Sequence, residues 1–270
     1  KRSSLASTDR LLDLSMNPLL RNRITIRLFV RGLNALIKAV VFDVDGTLYD
    51  ETYPKVKAEL LTAEFISDKS CVNVEDVYNT FREVKAQITS EYGGRPERND
   101  RRIWYEETLR RLSVTNISKE EASTYYWQVV YSSIEPYIDL LYVLPQFARK
   151  YKLFTLSDEL SEIHREKIKH LGLAGFFVNS ISAEEAEEAK PSRKLFDYAL
   201  EIIGESPSAV LVVGDNPAAD IKGGNLAGMH TAWLQRGKYH YYPRSGDEKP
   251  DIVFTNYIQL EGKIKNLEAS

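Results

Sequence analysis

Cysteine is all but missing, with Cys71 the single one among 270 residues. One thiol makes neither an intrachain disulfide nor a multi-thiolate metal site, so a reducing compartment, the cytoplasm, is expected. Histidine is scarce as well, and His164, His170, His230 and His240 form no His-Glu-x-x-His or i,i+4 pair. Zinc chemistry is thereby disfavoured. The chain has no apolar run of about 18 residues, so no membrane span is expected. Internal repeats and low-complexity tracts are also missing.

What is present is ordinary for a folded soluble chain: 43% hydrophobic and 28% charged residues, outside the compositions of disordered or fibrous proteins. A chain this long buries a core without staples and makes one large domain or two modest ones. The net charge of −3 is uneven. Residues 1–38 hold eight Lys or Arg against Asp9 and Asp13, so they carry +6 and the remainder −9. Arg21, Arg23, Arg27 and Arg31 alternate there with Ile24, Ile26, Leu28 and Phe29. Residues 1–36 read as a basic extension: an organelle-targeting peptide, a surface-binding arm, sequence upstream of the true start, or a peripheral segment irrelevant to chemistry. The acidic body is no nucleic-acid binder by charge.

Ala39-Val40-Val41-Phe42 is a short continuous apolar run, as expected of a strand buried on both faces. Residues 54–135 differ. Their apolar residues recur at helical spacing, as in Val74, Val77, Tyr78, Phe81, Val84 and Ile88, with breakers near Ser70, Gly93-Gly94-Arg95-Pro96 and Asn116. Ser118 and Glu121 form a capping-box pattern ahead of a helix through Tyr131. About four helices and no strand are predicted. After Pro136, helices at 140–150, 160–171 and 192–203 and one ending at Gly228 alternate with strands at 153–156, 176–178, 210–213, 231–234 and 252–254. That alternation predicts a parallel sheet covered on both faces, with the helical block inserted after the first strand.

Ligands of such sheets bind at the carboxyl ends of the strands. The first predicted strand ends Asp43-Val44-Asp45-Gly46-Thr47 and the second Ser157-Asp158. Lys190-Pro191 follows the third; the fourth ends Gly214-Asp215, with Asp220 five residues on. Asp43 and Asp45, two apart in extended chain, point the same way, and Gly46 lets the backbone turn beneath them. One carboxylate of such a pair can attack an electrophile while the other moves a proton. Four carboxylates in one small site require a compensating cation, and Mg²⁺ beside Lys190 supplies it. Taken singly, each residue has a plain reading: Asp-x-Asp-Gly-Thr as a capped turn, Lys190 as a solvated lysine, Ser157 as a helix cap, Asp220 as a charge in a helix first turn. Their order on successive strands weighs against those readings taken together.

From about Ile37 to Leu260 the sequence resembles the haloacid dehalogenase-like hydrolases. Val40–Leu48 resembles their first motif, Leu153–Ser157 the second, Lys190-Pro191 the third and Gly214–Asp220 the fourth. The resemblance implies a doubly wound parallel α/β core of Rossmann type, residues 37–53 and 136–270, with residues 54–135 as a helical cap. It implies a Mg²⁺-dependent small-molecule phosphatase working through an aspartyl-phosphate. Asp43 is then the nucleophile and Asp45 the general acid/base. Asp43, the Asp45 main-chain carbonyl and Asp215 hold Mg²⁺, supported by Asp220, and Thr47, Ser157 and Lys190 meet the phosphate. Motif two reads Thr155-Leu156-Ser157-Asp158 where many relatives carry Thr-Asn-Gly, and Ser157 is chosen over Thr155. Asp45 argues against dehalogenation, since relatives that break carbon–halogen bonds usually lack the second aspartate.

Two other readings stand beside the phosphatase: a phosphomutase of the β-phosphoglucomutase kind, and a non-catalytic binding module on the same fold, whose expected loss of Asp43, Asp45, Lys190 or Asp215 is not seen. Specificity is expected in the cap, where Tyr92, Arg95, Arg98, Arg101 and Arg102 flank the Gly-Gly turn, with Arg95 and Arg98 foremost, as a clamp for an anionic substrate or as a solvated loop. The expected partner is a small phosphate ester; the sequence leaves its identity and the oligomeric state open.

Overall fold

The computed structural model describes residues 36–239 and 246–269. Nearly all of the basic extension, residues 1–35, lies outside the described residues. The chain forms a six-stranded, wholly parallel sheet in the order β3-β2-β1-β4-β5-β6. The strands are β1 (Ala39–Phe42), β2 (Lys152–Ser157), β3 (Asn179–Ser182), β4 (Val210–Gly214), β5 (His230–Leu234) and β6 (Ile252–Phe254). This is the doubly wound α/β architecture expected from the alternation of helices and strands. β1 is central: Val40 pairs with Leu153 on one side and with Leu211 on the other. Successive residues of β1 feed opposite faces. Val40 and Phe42 join the core that holds α5 (Ile138–Lys150) and α10 (Tyr257–Glu268), while Ala39 and Val41 join the core under α8 (Arg193–Ile203).

The strand predicted at Phe176–Val178 sits three to four residues further on. Phe176 closes a 3₁₀ turn, Val178 is two-thirds exposed, and the edge strand is Asn179-Ser180-Ile181-Ser182. β3 pairs on one side only and buries just Ile181 and Ser182, so it needs no apolar run. Helix α10 has no counterpart in the prediction; Tyr257, Leu260 and Ile264 are its buried residues, with Leu267 packed partly buried beside them, among many polar ones.

Between β1 and α5 stand four helices: α1 (Thr52–Ser70), α2 (Val74–Tyr92), α3 (Arg101–Arg111) and α4 (Lys119–Tyr131). Each later one starts at a side-chain cap, because Asn73, Asp100 and Ser118 accept from the backbone N–H of Glu75, Arg102 and Glu121. They close a ring, α1 against α2 and α4 and α3 against α2 and α4. Inside it Phe81 stacks on Tyr105 at 4.9 Å and meets Trp104 edge-on at 5.9 Å. The two crossings into this insertion pair with each other, through a bridge between Tyr49 and Pro136 and a bond from Tyr137 N–H to the Leu48 carbonyl (2.9 Å). Among the described residues no helix is long and apolar enough to cross a membrane.

Candidate active site

The strand order reverses between β1 and β4, whose connections leave in opposite directions, so a crevice opens at their carboxyl ends. A cavity of about 700 Å³ lies there, walled by the sheet ends below and by α1, α2 and the Arg98–Trp104 stretch above. Asp43, Asp45, Ser157, Lys190, Asp215 and Asp220 all line it.

Asp43 is buried and fully engaged. Its Oδ2 accepts from the Thr47 hydroxyl at 2.7 Å and its Oδ1 from the Lys190 ammonium, which also donates to Asp220 Oδ1 at 2.7 Å. Thr47, expected to bind substrate, is completely buried. Its hydroxyl is shared between Asp43 and the Asp215 N–H (3.1 Å), so it positions those residues and does not line the cavity. Carboxylate oxygens of Asp43, Asp215 and Asp220 lie within 4.8 Å of one another. Two glycines make room: a Cβ on Gly46 would stand 2.4 Å from Asp215 Oδ2, and one on Gly214 2.3 Å from the Asp220 carboxylate.

Burial above all pushes Asp215 up to about 9, with Asp43 and Asp220 adding to it. Burial likewise lifts Asp43 to about 7 against the pull of Lys190. Lys190, whose charge burial opposes, is held well above the ordinary lysine range by Asp220 and Asp43. One ammonium does not balance three carboxylates, and Asp215 Oδ2 is buried without a hydrogen-bond partner. An all-oxygen donor set with an unpartnered buried oxygen fits a hard divalent cation.

Asp45 stands apart from that triad. Lys167 Nζ reaches both its oxygens, at 2.9 and 2.7 Å; Tyr49 donates its hydroxyl, and Lys55 of α1 lies 3.7 Å away. Burial works against its charge, yet Lys167 and Lys55 hold it well below the usual carboxylate range. The sequence reading missed both lysines. A signal for Lys167 existed: with His164 and Ile168 it occupies the inward stripe of α6 (Ser161–His170), where lysine is out of place.

Ser157 ends β2, is buried, and accepts from the Glu159 N–H at 3.2 Å. Thr155 is occupied elsewhere, its hydroxyl 2.8 Å from His164 Nε2. Arg98 lines the cavity and donates to Asp158 Oδ2 at 2.8 Å, while Asp158 Oδ1 accepts from the Lys190 N–H, also at 2.8 Å. Arg95, expected beside it, is not brought to the cavity: it is exposed and lies over the Tyr92 ring at 4.6 Å. A glycine-rich turn tells where a loop is, not which of its side chains faces inward.

Known proteins share both the sequence and the fold. Residues 37–228 match the family model of haloacid dehalogenase-like hydrolases. The chain is 32% identical over 242 residues to a glyceraldehyde 3-phosphate phosphatase of Methanopyrus kandleri, covering 86% of this chain and 99% of that one. It is 27% identical to a phosphoglycolate phosphatase of Aquifex aeolicus, over 83% and 95% of the two chains. In three dimensions it superimposes on a 2-haloacid dehalogenase of Pseudomonas syringae pv. Tomato with a TM-score of 0.68, at 24% identity over 86% and 99% of the chains, a likeness of fold. Matched by the family model over residues 37–228 and by a relative over most of its length, this chain belongs to the haloacid dehalogenase-like hydrolases.

Proposed function

We propose that the protein is a Mg²⁺-dependent phosphatase of small phosphomonoesters that works through an aspartyl-phosphate on Asp43. The observation that carries this is the Asp43 carboxylate, clamped between Lys190 and Thr47 inside a buried acidic triad and facing a cavity of about 700 Å³. Relatives matched over most of both chains are phosphatases of glyceraldehyde 3-phosphate and phosphoglycolate, which supports the same class of reaction here.

Mg²⁺ would be held by Asp43, the Asp45 main-chain carbonyl and Asp215, with Asp220 behind, and it supplies the positive charge that lets a carboxylate approach a phosphate dianion. Lys190 and Ser157 hold phosphate oxygens on the other side. An oxygen of Asp43 attacks phosphorus as the ester P–O bond breaks, and the leaving oxygen takes a proton from Asp45. A water then attacks the phosphoryl group, gives a proton back to Asp45, and the bond to Asp43 breaks to release inorganic phosphate. In the substrate-free geometry Asp45 is held deprotonated by Lys167 and Lys55, a state suited to the water step. A phosphate dianion brought into the cavity beside Asp45 adds negative charge there and favours the proton that the first step needs. Residues 54–135 act as the cap, opening to admit substrate and closing to exclude water.

The test is release of inorganic phosphate from a panel of sugar phosphates, phosphoglycolate, nucleotides and sialic acid phosphates, with Mg²⁺ and after chelation. Expected is Mg²⁺-dependent release and none from Asp43→Asn. Conversion of a hexose 1-phosphate without phosphate release would replace this reading by a mutase, and no turnover of any ester by a non-catalytic module.

A further inference from the structure

Lys167 is the one completely buried lysine among the described residues, and the phosphoryl-transfer steps do not touch it. Its ammonium donates to Asp45 at 2.9 and 2.7 Å and to Glu159 Oε1 at 3.3 Å, and it lies 5.2 Å over the Trp127 ring of α4. Its neighbour on the helix, His164, offers no competing charge: burial first, then Lys167 itself, holds the imidazole neutral, down to about 3. Glu159 in turn is buried and accepts from Arg101 of α3, Nη2 to Oε1 at 3.1 Å and Nη1 to Oε2 at 3.4 Å. Arg101 is 4% exposed and boxed by three rings, Trp104 at 4.3 Å, Trp127 at 4.7 Å and Tyr126 at 5.5 Å.

Four buried or nearly buried charges thus run in alternating sign from the insertion to the reacting centre: Arg101, Glu159, Lys167, Asp45. An ammonium has three protons, and here all three have carboxylate acceptors. If Arg101 leaves, Glu159 keeps one cationic partner and draws harder on Lys167, because a buried charge without its partner is costly. Lys167 is then shared differently, and the Asp45 carboxylate loses the fork that fixes its two oxygens. Arg101 sits on the inserted helices while Glu159 and Lys167 sit on the sheet's side of the crevice, so closure completes the chain of charges and opening breaks it.

Resting on the aspartyl-phosphate reading, we propose that Lys167, loaded through Glu159 by Arg101 of the insertion, is the positioning residue that aims Asp45, so that proton transfer to the leaving group is efficient only when the insertion is closed. Lys167 and Arg101 touch no substrate atom in this scheme; they act through Asp45.

The experiment uses the full chain with saturating Mg²⁺ and the variants Lys167→Met, Lys167→Arg, Glu159→Gln and Arg101→Met, with glycerol 3-phosphate and p-nitrophenyl phosphate as substrates. Nitrophenolate leaves without a proton and an alkoxide does not, and kcat/KM reports the step that breaks the ester bond. For Lys167→Met, kcat/KM on glycerol 3-phosphate should fall at least ~10²-fold and on p-nitrophenyl phosphate less than ~10-fold, the size of effect expected of a misplaced general acid. Lys167→Arg should recover much of the difference, and Arg101→Met and Glu159→Gln should show the same selectivity at smaller size. Should Lys167→Met not fold, as judged by circular dichroism and melting, Arg101→Met and Glu159→Gln decide alone. Equal losses on the two esters, or no loss on either, overturn the proposal. Asp43→Asn run in parallel separates the failures: an active Asp43→Asn removes the aspartyl-phosphate reading itself, whereas an inactive one beside equal losses removes only the role of Lys167.

Discussion

Replacing Asp215 by Asn should make the metal-free protein more stable and the enzyme dead. Asp215 is 2% exposed, its Oδ2 has no partner, and Asp43 and Asp220 stand within 4.8 Å. Its carboxyl is raised from 3.8 to about 9, chiefly by burial. Above pH 4 the native protein therefore keeps a proton that the unfolded chain has released. That group's contribution is fully present below about pH 4 and drains away as pH rises towards 9. About three pH units separate 3.8 from pH 7, each worth about 1.4 kcal/mol, so on the order of 4 kcal/mol is lost by neutrality. Asn carries no such titration and forfeits no side-chain hydrogen bond seen here. At roughly 2–4 °C per kcal/mol for a chain of this size, Asp215→Asn should melt about 8 °C or more above wild type at pH 7 in chelator, and the gap should shrink towards pH 5. A divalent cation narrows the gap: at a hundred times its Kd it stabilises wild type by about 2.7 kcal/mol and the variant by little, which leaves the variant ahead by only about 1 kcal/mol. The assay is thermal melting at pH 5, 6, 7 and 8, with chelator and with Mg²⁺. Trp233 gives a local signal, since its indole N–H donates to the Asp215 carbonyl at 2.9 Å. An Asp215→Asn protein that melts below wild type in chelator at pH 7, or a wild type equally stable at pH 5 and pH 8, would refute the reasoning.

Other outcomes follow from the same geometry. Gly46→Ala puts a Cβ 2.4 Å from Asp215 Oδ2 at a φ of +83°, so divalent-cation affinity should drop at least ~10-fold with a further ~1–2 kcal/mol of backbone strain; isothermal titration showing an unchanged Kd would contradict it. Asp43→Asn should abolish phosphate release and leave no phosphoenzyme on mass spectrometry after rapid quench, whereas Asp45→Asn should accumulate it from p-nitrophenyl phosphate; a phosphorylated Asp43→Asn would count against Asp43 as nucleophile. Because Arg98 lines the cavity and Arg95 does not, Arg98→Ala should raise KM for the true substrate several-fold while Arg95→Ala leaves it within twofold. Equal shifts in KM for both variants would return the loop to a solvated role.

The sequence by itself determined the architecture and which residues stand at the strand ends. Val40-Val41-Phe42 has no polar side to show solvent, so it has to be an interior strand, and Asp43, Ser157 and Asp215 follow their strands at a distance of zero or one residue. Backbone periodicity is a local property, and a side chain placed at a strand end inherits its direction from that periodicity. Side-chain partnership is not local. Thr47 reads as a phosphate ligand by position but is locked between Asp43 and Asp215, 168 residues away. Arg95 and Arg98 are equivalent in sequence, and only the 3₁₀ turn Pro96–Asn99 sends one to Asp158 and the other to the Tyr92 ring. β3 was displaced because an edge strand with one buried residue in two carries no apolar signal. The pairing of Lys167 with Asp45 across 122 residues, and of Arg101 with Glu159 across 58, was decided by tertiary structure alone. A buried charge is tolerated only where the fold delivers its counter-charge, and that delivery depends on how the inserted helices close over the sheet.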